Sequence, residues 1–119
     1  MPPRNPQNPP DRPPDGVLAD ERIAFYRRER LVTVDDETYI WSKRQVGLFT
    51  ILVANIDMPV QCVDIYSELW SPWQYDNRVV RALVKNTRLR LGPELGNPQT
   101  GAVTTVFNRG YMGRSSILD

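Results

Sequence analysis

Residues 76–91 read DNRVVRALVKNTRLRL, and the fold turns on whether they form a helix or a strand. As a helix, Val80, Leu83/Val84, Thr87 and Leu91 fall on one side. Arg78, Arg81, Lys85 and Arg88 line another, and Asp76 or Asn77 can cap the start. As a strand, Arg81, Leu83, Lys85, Thr87 and Leu89 would share a face, mixing charge with apolar residues on both sides. The periodicity therefore predicts a helix with a cationic outer face. No acid interrupts it from Arg78 to Arg90.

Upstream lie two more helical patterns. Ser42 with Gln45 three residues on is a capping box. Val46, Phe49, Val53 and Ile56 recur at helical spacing, with Leu48 and Leu52 beside them, so a helix is expected over 43–54. Asp57-Met58-Pro59 reads as a second start, an acidic cap with proline in the first turn. Cys62, Ile65, Tyr66, Leu69 and Trp70 make its apolar stripe, and Ser71-Pro72 stops it. Cys62 on that stripe is most simply a small core residue.

Strand signals flank the helices. Residues 31–34 and 38–41 are β-branched and aromatic around Asp35-Asp36-Glu37, which predicts a hairpin. Residues 92–101 (GPELGNPQTG) are expected to be a loop. Residues 102–107 and 111–117 should form a closing hairpin about Asn108-Arg109-Gly110, with Arg109 and Arg114 at or near its tip. Residues 17–30 are ambiguous between a charged helix over 19–30 and a short strand at 23–26. Seven of the 11 prolines fall in residues 1–16, which predicts an extended, disordered tail. Its P-x-x-P spacings suit a spacer better than an SH3 ligand, because Arg4 and Arg12 sit one residue off the usual positions.

The chain has 119 residues and a net charge of +1, enough for one modest core. Charge is segregated: residues 1–77 carry 8 basic and 12 acidic side chains, residues 78–119 carry 7 and 2. Thirteen of the 15 basic residues are arginine, whose planar donor fork suits phosphates and guanine edges. A GC-rich genome would explain the arginine count but not its segregation. With no histidine and one cysteine, imidazole-based nucleophile systems, thiolate zinc sites and internal disulfides are excluded. No metal or cofactor is expected. The only acid cluster, Asp35, Asp36 and Glu37, sits in a turn, so an enzyme is not expected. No secretion signal or spanning segment is read, which makes the cytoplasm the default location.

Three helices followed by a hairpin make a winged-helix arrangement within an α+β fold, with an N-terminal antiparallel sheet. From about Leu31 to Ile117 the chain resembles the OmpR/PhoB-type winged-helix domain, the DNA-binding half of many bacterial response regulators. WSKRQVGLFTILVAN resembles the family's Leu-Thr-x-x-Glu-x-x-Leu-Leu-x-x-Leu first helix, with Gln45 in place of Glu. VQCVDIYSELW resembles the second helix, including its closing tryptophan, Trp70. DNRVVRALVKNTRLRL resembles the recognition helix, and VTTVFNRGY the wing.

The resemblance implies a four-stranded N-terminal sheet and double-stranded DNA as partner, commonly bound by tandem homodimers on direct repeats. No membrane is implied. Carried over by position, it implies that Trp70 and Arg78 face phosphates, and that Val79, Ala82 and Leu83 face bases. Lys85, Asn86 and Arg88 would face bases or phosphates. Thr105 and Tyr111 on the wing would contact the backbone, with Arg109 and Arg114 as added wing cations and Arg81 as an added charge. Ser71, Pro72, Trp73, Gln74 and Tyr75 would be the loop that can touch RNA polymerase. Departures are Leu83 for the usual His, Asn86 for an Arg, Phe107 and Asn108 for the wing's Arg-Gly, and Thr87 for a Leu. No receiver domain is expected, since the first 30 residues leave no room for one. The expectation is a stand-alone transcriptional regulator. The alternative is a winged helix turned to protein interaction, with RNA polymerase or another regulator as partner.

Overall fold

The computed structural model describes residues 7–117. Short runs of β-branched and aromatic residues form the first sheet, β1 (Gly16–Leu18), β2 (Ile23–Tyr26), β3 (Leu31–Val34) and β4 (Glu37–Ile40). The strands pair antiparallel in sequence order, with Phe25 opposite Val32 and Leu31 opposite Ile40. Leu18, Ile23, Phe25 and Val32 are buried in the core. The ambiguity over 17–30 resolves as strand. Ala19, Asp20 and Glu21 all have positive φ, which a right-handed helix excludes.

The proline-rich segment expected as an extended tail is described from residue 7 onward. Residues 7–15 run along the sheet: the Gln7 amide donates to Thr38 O at 2.6 Å and the Asp15 amide to Phe25 O at 2.8 Å. Arg12 stacks 5.3 Å over the Tyr26 ring and bonds Glu29 at 2.5 Å. Proline spacing shows an extended path but not what the path lies against. The expectation for residues 1–6 lies outside the described residues.

Helix α1 (Lys43–Ala54) begins at the capping box, with the Gln45 amide on Ser42 Oγ at 3.1 Å and the Ser42 amide on Gln45 Oε1 at 3.2 Å. Its buried face carries Val46, Leu48, Phe49 and Leu52. Gly47 lets the next helix approach, because a Cβ there would stand 2.6 Å from Leu69 Cδ2.

The second helix starts later than Asp57-Met58-Pro59 suggests. Pro59 and Val60 form a short strand, β5 (Pro59–Val60), and α2 (Cys62–Leu69) follows. The reason is tertiary. Val60 is buried opposite Tyr111, and proline is tolerated at a sheet edge where no amide is needed. Asp57 does not cap the helix. It has φ 62° and accepts the Ser115 amide at 2.9 Å and hydroxyl at 2.5 Å.

Helix α3 (Asn77–Leu95) is capped by Asp76, whose carboxylate accepts the Arg78 amide at 2.9 Å. The loop expected from residue 92 begins later. Gly92 leaves helical geometry (φ 92°, ψ 173°), but Pro93 opens a last turn that buries Leu95. The closing hairpin is β6 (Val103–Val106) and β7 (Gly110–Gly113), in a second sheet of order β5-β7-β6. Pairing stops at Gly113. Residues 114–117 instead dock on the β1–β2 turn, where Ala19 and Asp20 amides donate to Arg114 and Ser115 carbonyls at 2.9 and 2.8 Å.

The core joins both sheets and all three helices. Phe49 packs on Phe25 and Trp41 (centroids 5.9 and 5.5 Å), and Leu52, Ile65, Val80, Val84, Leu95 and Val103 complete it. Among the described residues, no helix is long and apolar enough to cross a membrane.

Candidate nucleic-acid interface

Helix α3 buries Val80, Val84, Thr87 and Leu91, the side that its periodicity marks as apolar. The opposite side exposes Arg78, Arg81, Ala82, Lys85, Asn86 and Leu89. Val79 and Leu83 are half-buried, and Leu83 packs against the core. Arg81 and Lys85 form no salt bridge among the described residues. Arg78 folds back on its own cap, with Nε and Nη2 on the two Asp76 oxygens at 3.0 and 3.1 Å. That fork, with the Arg78 amide, holds the Asp76 carboxyl below its ordinary range.

Not every arginine of the helix faces outward. Arg88 bends onto the hairpin: Nε donates to Val103 O at 2.9 Å, Nη2 donates to Thr105 Oγ1 at 2.8 Å, and the guanidinium lies 5.4 Å over Tyr111. Burial lowers its pKa. Arg90 bends the other way. It donates to Ile40 O at 2.6 Å and to Gln45 Oε1 at 3.4 Å, and it stacks 4.4 Å over Trp41. Together they tie α3 to both sheets. The i, i+3, i+7, i+10 pattern gives no sign of this, because it places side chains on a cylinder without saying which are long enough to reach a neighbour. No local signal in the sequence marks Arg90 for this role.

The hairpin tip carries Phe107, 86% exposed, Asn108 and the exposed Arg109. The turn uses positive φ at Asn108 (60°) and Gly110 (106°). Any Cβ on Gly110 would also strike Val60 O. Thr105 is exposed. Tyr111 is not: only 8% is accessible, and burial pushes its phenol up. A backbone contact from the Tyr111 ring would need the hairpin to shift. Arg114 lies past Gly113 at the hairpin's other end, its amide on Ala102 O at 2.9 Å, so it is not near the tip.

The α2–α3 connection is a fixed aromatic corner. Tyr66 stacks on Trp70 (5.6 Å), meets Tyr75 edge-on (5.4 Å) and donates its hydroxyl to Gln74 O at 3.0 Å. Ser71 Oγ accepts the Trp73 amide at 3.2 Å, Pro72 is exposed, and the Trp73 ring is 76% exposed. Arg44 lies 4.6 Å over the Trp70 ring. Beneath this corner the half-buried Cys62 thiol is pushed up by burial, which makes it a poor nucleophile.

No protein-family model and no curated protein sequence matches the chain. Solved structures do resemble it. The DNA-binding domain of E. coli CadC matches with a TM-score of 0.69 at 13% identity, over 88% of this chain and 97% of that one. DrrB of Thermotoga maritima, an OmpR/PhoB homolog, matches at 0.68 and 17% identity over 83% of this chain, which spans 44% of DrrB. The DNA-binding domain of Bacillus subtilis CssR matches at 0.62 and 22% identity, over 76% of this chain and 98% of that one. The chain has the winged-helix fold of OmpR/PhoB-type DNA-binding domains.

Proposed function

We propose that the chain binds double-stranded DNA in a sequence-dependent way, as the DNA-binding element of a transcriptional regulator. One observation carries the reading: among the described residues, α3 presents Arg81 and Lys85 outside any salt bridge, with Ala82, Asn86 and Leu89 between and beyond them, and no acid interrupts the helix from Arg78 to Arg90. A helix of this width enters the major groove, where each base pair has its own donor and acceptor pattern. Leu89, 70% exposed, and the Ala82 methyl suit thymine methyl groups, and Asn86 suits adenine. Arg109 at the hairpin tip lies on the neighbouring minor groove or backbone, Trp70 and Arg78 on flanking phosphates, and Thr105 beside them. Arg88 and Tyr111 serve by holding the hairpin against the helix. Arg114 has no place in the contact surface. Tandem homodimers on direct repeats, and a polymerase contact through Trp73, belong to the same proposal.

Selection of bound duplexes from a random pool tests it. A recovered motif, with affinity that falls steeply as salt rises, supports the reading, since each neutralised phosphate releases counterions. Arg81→Ala with Lys85→Ala should weaken binding to every duplex. Absence of any bound duplex, or unchanged affinity in that variant, overturns it. The second reading, a protein-interaction module, draws on the exposed Trp73 and Phe107 rings and on Arg78 being neutralised by Asp76. It is selected if no duplex is retained while RNA polymerase binds the chain and Trp73→Ala abolishes that binding.

A further inference from the structure

A second cationic region lies off α3 and off the hairpin. An open groove of about 830 Å³ runs between the β2–β3 turn, the start of α1 and the end of α2. Arg27, Arg28 and Arg30 line it from the turn and Lys43 and Arg44 from the start of α1, with Glu68 the one acid among the described lining residues. The floor is apolar, from Val46, Ile51 and Leu69. Five cations facing one carboxylate repel each other in the absence of an anion.

The turn reads Arg27-Arg28-Glu29-Arg30, so its own acid would ordinarily offset part of that charge. It does not line the groove. Arg12 draws the Glu29 carboxylate aside at 2.5 Å and holds it below its ordinary range. Asp15 is likewise engaged, by the Arg27 amide at 2.7 Å and by Arg12 at 3.4 Å. Among the described residues none of Arg27, Arg28 and Arg30 is in a salt bridge. Arg12 thus takes up two acids next to this turn, and neither Glu29 nor Asp15 lines the groove.

The groove is continuous with the aromatic corner. Arg44 lines it, donates Nε to Leu69 O at 3.3 Å and lies over Trp70. Trp70 is the residue placed above on flanking phosphates. We propose that this groove carries the phosphodiester backbone of the same duplex beyond the site covered by α3 and the hairpin. The claim rests on the DNA-binding reading and extends its footprint. Phosphate chemistry follows from the guanidinium forks. A passing strand, rather than a bound nucleotide, follows from five cations spread over the β2–β3 turn and the start of α1, with Arg44 joining them to Trp70.

Hydroxyl-radical footprinting on a 40-base-pair duplex carrying the selected motif tests it. The wild-type chain should protect the central site and a flanking backbone stretch. Arg27→Ala, Arg28→Ala and Arg30→Ala together should lose the flank and keep the centre. The plot of log affinity against log salt should flatten by about 2 to 3, near 0.9 for each phosphate released. Thermal unfolding matching the wild type shows that the variant is folded, and Arg28→Glu alone should weaken the flank if the triple variant does not fold. Wild-type protection of the centre alone, or equal footprints for both proteins, overturns the inference and leaves the DNA-binding reading standing. ATP binding by calorimetry that depends on these arginines, with no flanking footprint, also overturns it, in favour of a free nucleotide. No protection anywhere removes the DNA-binding reading itself.

Discussion

Arg81 and Arg88 lie two turns apart on one helix and do different work. Arg81 ends in solvent, so Arg81→Ala should lower duplex affinity and leave the unfolding temperature unchanged. Arg88 satisfies a main-chain carbonyl and a hydroxyl of β6 from a half-buried position. Its loss should destabilise the fold by about 1–2 kcal/mol, since the Val103 carbonyl loses a charged donor. Thermal unfolding of the two variants side by side separates the roles. Thr87 is the converse case. Its hydroxyl is buried in α3 with no hydrogen-bond partner among the described residues. Thr87→Val keeps the shape and removes the desolvated oxygen, so it should stabilise the chain by about 1 kcal/mol. That would appear as a melting point higher by about 4 °C for a domain of this size.

Helix α3 ends in two stages because Gly92 takes a backbone conformation almost confined to glycine (φ 92°, ψ 173°). Nothing lies within 4 Å of a Cβ there, so Gly92→Ala carries only backbone strain. A loss of about 1–3 kcal/mol in denaturant unfolding is the expected outcome. Elements like α1 are legible in sequence because their determinants are local: Ser42 and Gln45 meet each other, and the apolar spacing does the rest. Strand β5 is not. Two residues, Pro59 and Val60, become a strand only because Met112 and Tyr111 arrive beside them from the far end of the chain. The site divides the same way. The exposed stripe of Arg81, Ala82 and Lys85 follows from helical period. The inward turns of Arg88, Arg90 and Tyr111 depend on where two sheets sit, and no spacing encodes that. The cationic groove draws on arginines 27–30 and residues 43–44, which mean little apart.

Across the whole molecule, the carboxyls of Asp15, Glu29, Asp35, Asp57 and Asp76 are all held below their ordinary values, by arginine partners, by the Arg27 amide at Asp15 and by Ser115 at Asp57. A depressed folded-state pKa gives stability that is complete above the unfolded value and lost as pH falls through the folded one. Unfolding free energy should therefore decline below about pH 4, the ordinary carboxylate value. Asp57→Asn should make that decline shallower. Cys62, Tyr75 and Tyr111 are raised, so the unfolded chain ionises first and stability should fall again above about pH 8.5. With no histidine, no side-chain imidazole adds a slope between the two limbs. A urea titration at stepped pH traces the whole profile.

The three indole rings of this chain occupy three unlike settings: Trp41 in the interior beneath Arg90, Trp70 sandwiched between Tyr66 and Arg44, and Trp73 facing water. Intrinsic fluorescence can therefore be read as three separate channels without any attached dye. Iodide should quench Trp73 first, a ligand arriving at the groove should alter Trp70, and Trp41 should redden only when the chain melts.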